Sequence, residues 1–180
     1  RGRDRLEFAL NHLCIQTVPV FAFYESQGRL TTIAYANGTG LTYAYTGDQV
    51  ASITDSLGRT LTFTYTGDYL TNLATPAGNV TYSYDGNGNL TAVTRPGTEI
   101  QTYEYAPSGD NHNLIGIIDA TGVRLQNLTY DSSDRVVTSS LAGNTDSVTI
   151  GYPSLLTRTV TDAQNVVSTY ELEVQQGVAR

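Results

Sequence analysis

The stretch Val80-Thr-Tyr-Ser-Tyr-Asp-Gly-Asn-Gly-Asn-Leu-Thr-Ala-Val93 decides how the rest of the chain is read. Tyr82 and Tyr84 are separated by one residue, so on an extended strand they point to the same side. Asp85-Gly-Asn-Gly-Asn89 follows, a run of residue types that accept positive φ or close turns with their own side chains. Leu90 to Thr94 then reads as a short strand running back. One hairpin is marginal alone, so its meaning depends on whether it recurs.

It recurs about every 20 residues, and the tyrosines are the ruler. Tyr24, Tyr45, Tyr65, Tyr84, Tyr105, Tyr130 and Tyr152 occupy matching places. Aromatic pairs stand at Tyr43 and Tyr45, Phe63 and Tyr65, Tyr82 and Tyr84, Tyr103 and Tyr105. Leu41, Leu61 and Val80 extend the alternation backwards on the aromatic face, while Thr42, Thr62 and Thr81 fall on the other. Period-two patterning of this kind marks a half-buried strand. Aromatics on such a face read as packed, with exposed rings that bind sugar or peptide as the rival reading.

The return strands, Val50 to Thr54, Leu70 to Thr75 and Leu90 to Thr94, break that alternation. Their apolar residues are spaced by three: Val50 and Ile53, Leu70 and Leu73, Leu90 and Val93. The segments are too short and Thr-rich for a helix, so the spacing predicts a strand with a bulge or a twisted end. Turns close each unit. The first varies, from Thr46-Gly47-Asp48 to Asp85–Asn89. The second reads Asp55-Ser-Leu-Gly58-Arg59, with Thr75-Pro-Ala-Gly78-Asn79, Arg95-Pro96-Gly97 and Asp119-Ala-Thr-Gly122 at the same place.

Hairpins in tandem must pair edge to edge. The expected fold is therefore all-β: antiparallel hairpin repeats, roughly fifteen strands, in one curved, spiralling sheet, because strongly twisted open sheets rarely exceed about 10 strands without curling. Residues 20–180 form the repeat region. Residues 1–19 read as a degenerate repeat or boundary segment, with Leu6, Phe8 and Leu10 imitating Leu61, Phe63 and Tyr65 and a helix from Arg5 to Cys14 as the rival. Past Tyr130 the pattern weakens, and Ser168 to Val174 reads as a strand without a closing unit. The start, Arg1-Gly-Arg-Asp-Arg5, has neither an initiator Met nor a secretory leader, so the expectation is a fragment of a larger protein.

Composition narrows the function. The chain has 13 Tyr, 4 Phe, no Trp and no Met, and its formal net charge is -7. Every basic residue is Arg, three of them within the first five positions, and no basic stripe suits nucleic acid. No apolar run is long enough to cross a membrane as a helix. Cys14 is the single cysteine, so it has no partner for an internal disulfide.

The combination of aromatic-x-Tyr, an Asp/Gly turn, an apolar return strand and an Asp-x-x-Gly-Arg turn resembles the YD repeats of the Rhs family. Tyr82-Ser-Tyr84-Asp85-Gly-Asn-Gly-Asn-Leu90-Thr91, Asp55-Ser-Leu-Gly58-Arg59 and Gly28-Arg29-Leu30-Thr31 carry the resemblance, which extends over about residues 20 to 170. Tyr-Asp itself is kept at Tyr84-Asp85 and Tyr130-Asp131; Thr46, Thr66, Ala106 and Pro153 replace the Asp elsewhere. The family comprises large bacterial surface or secreted proteins, with relatives in insecticidal toxin complexes and in teneurins. The resemblance implies a hollow β-shell that, in polymorphic toxins, encloses a C-terminal toxin for delivery to another cell. Its partners would be the remainder of the parent polypeptide, the enclosed toxin domain and secretion machinery. The implied localisation is secreted or cell-surface. An extracellular carbohydrate- or protein-binding adhesion module is the alternative.

Other candidate sites have plainer readings. Asp85–Asn89 alternates oxygen side chains like a calcium loop, but Leu90 and Pro96 stand where an EF-hand needs Gly and Glu, and an ordinary turn is expected. His112 lies in the longest loop with Ser108 and Asp110, without a nucleophile elbow. His12 and His112 are too few for zinc. The sequons at Asn37, Asn79, Asn89 and Asn127 arise because the repeat puts Asn in turns and Thr in strands. The expectations are no enzyme activity, no cofactor and no metal site. The structural repeat positions are Tyr24, Tyr43, Tyr45, Phe63, Tyr65, Tyr82, Tyr84, Tyr103, Tyr105 and Tyr130, with Gly28, Gly58, Gly78 and Gly122 in the turns.

Overall fold

Strand after short strand follows from a chain in which Thr, Tyr and Val alternate with turn residues. The computed structural model describes residues 20–107, 109–175 and 178–179. The expectations for residues 1–19, including Cys14 and His12, lie outside the described residues. Two units are distinguished, Arg1–Thr81 and Tyr82–Arg180.

The first unit holds β1 (Val20–Tyr24), β2 (Leu30–Tyr35), β3 (Gly40–Thr46), β4 (Gln49–Asp55), β5 (Thr60–Thr66), β6 (Tyr69–Thr75) and the start of β7 (Gly78–Tyr84). The second holds the end of β7, then β8 (Leu90–Thr94), β9 (Ile100–Tyr105), β10 (Leu114–Ile118), β11 (Arg124–Tyr130), β12 (Val136–Leu141), β13 (Val148–Gly151), β14 (Thr157–Thr161) and β15 (Val167–Glu171). A 3₁₀ turn at Ala142–Asn144 links β12 to β13. In each unit strand order is chain order. Within each unit neighbouring strands pair antiparallel. The all-β hairpin array expected from the tyrosine spacing is what forms.

The spacing of three resolves as a bulge. In β3–β4, Ala44 pairs with Ser52 but Tyr45 with Val50, which leaves Ala51 as the extra residue. In β5–β6, Thr64 pairs with Asn72 and Tyr65 with Leu70, which leaves Thr71 extra. The added residue shifts the phase of the strand by one, so Leu70 lies opposite Tyr65 and Leu73 opposite Phe63. The same shift occurs at Thr31 in β2. Where the extra residue is Thr, its hydroxyl bonds across the hairpin: Thr31 Oγ1 to the Phe23 carbonyl and Thr71 Oγ1 to the Thr64 carbonyl, each at 3.2 Å. That is the physical use of the Leu-Thr pair that opens these return strands.

One turn design recurs at both ends of the hairpins, beside the two-residue loops Gly47-Asp48 and Gly67-Asp68. The Asp55 N–H donates to the Arg59 carbonyl and the Gly58 N–H to the Asp55 carbonyl, both at 3.0 Å. Gly58 has φ 80°. This is a three-residue hairpin loop, a type I turn closed by a left-handed residue, and only Gly takes that conformation without steric cost. The same pair of backbone bonds closes Glu25–Arg29, Asp85–Asn89, Asp119–Val123, Asp131–Arg135 and Asp162–Val166. Gly28 and Gly122 fill the left-handed slot in two of these; Asp134 and Asn165 fill it in others. Gly78 does not. It opens β7 and pairs with Thr75 across a two-residue loop, Pro76-Ala77, because the fixed φ of Pro76 suits the first place of a tight turn.

Among the described residues neither unit has a second layer of secondary structure. Among the described residues Val93, 8% exposed, is the buried hydrophobic residue, and no side chain is fully buried. Tyr43, Tyr45, Phe63 and Tyr65 are half-buried, whereas Thr42, Thr62 and Thr64 on the opposite face are exposed. The strand foreseen at Ser168–Val174 divides. β15 ends at Glu171, the Leu172 N–H bonds the Leu156 carbonyl at 2.7 Å, and Val174–Gln175 pairs instead with Val178–Ala179 in a separate two-stranded sheet.

Candidate functional site

The seam between successive hairpins is where the repeated residues converge. In β2–β3 the backbone ladder reaches Thr32 and Thr42 and goes no further towards the turn. The Leu30 carbonyl lies beyond the end of that ladder, and a tyrosine hydroxyl takes it. Tyr45 Oη donates to the Leu30 carbonyl at 2.8 Å. Tyr105 does the same to Leu90 at 3.1 Å, Tyr130 to Leu114 at 2.8 Å and Tyr152 to Val136 at 2.7 Å. In each case the tyrosine stands at or within one residue of the end of the outgoing strand of one hairpin, and the acceptor begins the return strand of the hairpin before it. The bond therefore ties repeat to repeat where main-chain pairing has ceased.

The residue before the acceptor adds a second tie. Arg29 stacks its guanidinium over the Tyr45 ring at 4.9 Å, and Arg135 stacks over Tyr152 at 4.3 Å. Arg158 approaches the Tyr152 ring as well, at 4.9 Å. Arg29 Nη1 also donates to the Gly47 carbonyl in the next turn. Gln49 Nε2 makes the equivalent bond to Gly67 at 2.8 Å, Asn89 Nδ2 to Asn111 at 2.9 Å, and Asn113 Nδ2 reaches Asp134 Oδ1 at 2.9 Å. Along this edge, turn holds turn.

The turn aspartates are structural acceptors. Asp131 Oδ1 takes the N–H groups of Ser133 and Arg135, and Oδ2 takes Arg135 Nε at 2.9 Å. The Arg135 side chain holds the Asp131 carboxyl below the usual carboxylate range. Asp55 is lowered by the Arg59 side chain and then its N–H, Asp119 by the Thr121 hydroxyl and then the Val123 N–H, and Asp85 by the Asn89 carboxamide and then its N–H. Burial pushes the Tyr105 and Tyr130 hydroxyls up. Glu25, bonded to its side chain, raises Arg29.

The carboxylate is used in the same way at Asp85–Asn89. Asp85 Oδ1 accepts the Asn87 and Asn89 N–H groups and Oδ2 accepts Asn89 Nδ2, each at 2.9 Å, so the carboxylate points into the turn. Asn89 is 7% exposed. Its Nδ2 faces two pure acceptors, Asp85 Oδ2 and the Asn111 carbonyl, so its Oδ1 is the atom at 2.6 Å from His112 Nδ1. His112 must donate there, which fixes its proton on Nδ1. The imidazole is thus committed to a loop-to-turn bond, a role the sequence reading did not assign it. Ser108 lies outside the described residues.

Residues 66–100 match the family model for the RHS repeat. Residues 66–100 carry an RHS repeat. The fold of this chain is similar to solved structures entitled "Crystal Structure of TcdB2-TccC3-Cdc42", with 18% identity and a TM-score of 0.59 over 89% of this chain, and "Crystal Structure of TcdB2-TccC3 without hypervariable C-terminal region", with 17%, 0.60 and 89%. It is also similar to a Photorhabdus luminescens Tc holotoxin pore with a TccC3-D651A mutation, at 16% identity and a TM-score of 0.58 over 89% of this chain. The chain spans 10% of the length of each of these solved chains. No curated protein matches it. Among the described residues no helix is long and apolar enough to cross a membrane.

Proposed function

We propose that this chain is a stretch of wall in an RHS shell. The shell would separate an enclosed polypeptide, a C-terminal toxin or another cargo, from its surroundings during secretion and delivery by a bacterial cell. The role is structural and not catalytic. The observation that carries this reading is the tyrosine hydroxyl bond that ties successive hairpins at four seams. A single layer of sheet has no second layer to exclude water, so it acts as a barrier only if its hairpins are closed against one another. The bonds from Tyr45, Tyr105, Tyr130 and Tyr152 supply closure where backbone pairing stops. The matched fold in the TcdB2-TccC3 structures supports a place within a much longer chain.

On this reading the chain's partners are the rest of its own polypeptide and whatever that polypeptide encloses, and it works outside the cytoplasm or at the cell surface. Limited proteolysis of the polypeptide that contains this segment, read by peptide mass mapping, tests it. Enclosure predicts a contiguous stretch that resists protease below the unfolding transition of the repeat region and is cut once that region melts. Cleavage of every other stretch at the rate of the same peptides in isolation would overturn the proposal. So would tyrosine-dependent binding of the folded segment to defined glycans on an array.

A further inference from the structure

The chain contains two Asn-Gly pairs, Asn37-Gly38 and Asn87-Gly88, and both sit in three-residue turns. Asparagine is a thermolabile residue. The main-chain nitrogen of the following residue attacks Cγ of the side chain, ammonia leaves, and a five-membered succinimide forms. Water then opens either of its two carbonyls to give aspartate or isoaspartate. A following Gly presents no side chain to obstruct the attack.

The two turns are closely matched in everything but the carboxamide. Gly38 and Gly88 have φ of 84° and 85°. Their N–H groups donate to the carbonyls of Tyr35 and Asp85 at 3.0 and 3.1 Å. Asn37 and Asn87 are both exposed. The difference is that Asn37 Oδ1 accepts two bonds, from the Thr39 N–H at 3.0 Å and from Thr39 Oγ1 at 2.7 Å, which hold the carboxamide forward over Thr39. The equivalent acceptor in the second turn is Asp85, whose carboxylate takes the N–H groups of Asn87 and Asn89. Among the described residues the Asn87 side chain has no hydrogen bond of its own, only its main-chain N–H being engaged. Rotation of its Cγ onto the Gly88 nitrogen breaks nothing, whereas the same rotation at Asn37 breaks two bonds.

We infer that Asn87 is a site of spontaneous deamidation in the folded protein and that Thr39 protects Asn37 from the same reaction. The consequence differs from an ordinary surface modification. An isoaspartyl linkage adds a backbone methylene between Asp85 and Asn89, the two residues whose main-chain bond closes the turn at 3.0 Å. Asn89 in turn carries the bonds to Asn111 and His112. The modification would therefore loosen the 106–113 loop, two strands away. This inference does not depend on the wall reading.

The test is incubation of the folded 180-residue chain at neutral to mildly alkaline pH. Peptide mass mapping follows amide-to-acid conversion at both sites, and isoaspartyl methylation identifies the rearranged product. Conversion severalfold faster at Asn87 than at Asn37 is expected. The difference should vanish in denaturant, and Thr39→Val should raise the rate at Asn37 towards that at Asn87. Asn87→Gln should abolish the fast site. Equal rates in the folded chain, faster conversion at Asn37, or no conversion at either site would each overturn the inference.

Discussion

The hydroxyl of Tyr130 donates to the main-chain carbonyl of Leu114 at 2.8 Å, across the seam between two hairpins. Removing it leaves a partly buried carbonyl without its donor while the aromatic packing remains. Tyr130→Phe is therefore expected to destabilise the chain by about 1 kcal/mol, the net worth of one such bond. Equilibrium unfolding in urea measures it. Tyr170, exposed at the outermost strand, provides the control, and Tyr170→Phe should fall within about 0.5 kcal/mol of the parent.

The same bond sets an alkaline limit. Burial raises the pKa of Tyr105 and Tyr130 above the ordinary phenolic value. A group whose folded pKa is raised contributes stability that is complete below the unfolded value, about 10, and lost as pH rises through the folded one. Unfolding midpoints should fall above that pH. The fall should be shallower in a Tyr105→Phe, Tyr130→Phe double variant, because neither Phe titrates. Equal slopes would show that these hydroxyls are not responsible.

At the acid end the sign reverses. Asp131, Asp55, Asp119 and Asp85 have folded pKa values held down, chiefly by the side chains of Arg135, Arg59, Thr121 and Asn89 respectively. Their contribution is present above the unfolded value, about 3.9, and is lost as pH falls through the lowered folded values. Asp131→Asn keeps a side-chain oxygen for the Ser133 and Arg135 N–H groups but removes the charge facing Arg135. It should lower stability at neutral pH and flatten the acid limb of the pH–stability curve.

How far the sequence could be read follows from which groups the repeat uses. Leu70 and Leu73 announce a bulge or a twisted end, because a regular strand cannot put residues three apart on one face. Tyr43 and Tyr45 announce a common face through strict alternation. The acceptor of the tyrosine bond is a backbone carbonyl, which leaves no residue-type signature. The one available signal was the near-constant offset from Leu30 to Tyr45 and from Leu90 to Tyr105. Gly78 was grouped with Gly58 on composition, yet Pro76 imposes a shorter loop and moves it into a strand. His112 and Asn89 meet through a loop that occurs once, so no periodicity could pair them.

Asn89 should be the most sensitive polar residue in the second unit. It is 7% exposed and its carboxamide joins Asp85, Asn111 and His112. Asn89→Ala strands the Asn111 carbonyl and the His112 N–H, at a cost of about 1–3 kcal/mol. Asn79→Ala, at an exposed strand position, should cost within about 0.5 kcal/mol. Hydrogen exchange localises the effect: amides of residues 106–113 should lose protection in Asn89→Ala, and His112→Ala should reproduce part of that loss.

Two glycines separate backbone obstruction from side-chain obstruction. A Cβ on Gly40 would lie 2.5 Å from the Ile33 carbonyl oxygen, which the β2–β3 pairing holds in place. A Cβ on Gly116 would instead meet the guanidinium of Arg124, which crosses β10 to pair with Glu104. The ladder cannot yield without losing register, so Gly40→Ala should cost about 1–3 kcal/mol, as overpacking does. The Arg124 side chain can swing away, so Gly116→Ala should lose only a surface ion pair, about 1 kcal/mol or less. Adding salt should shrink the Gly116→Ala effect, because screening already weakens that pair in the parent chain, and should leave the Gly40→Ala effect unchanged. Thermal unfolding of both variants at low and high ionic strength distinguishes the two cases. A Gly116→Ala loss as large and as salt-independent as that of Gly40→Ala would mean that β10 is held as rigidly by Arg124 as β2 is by its own backbone.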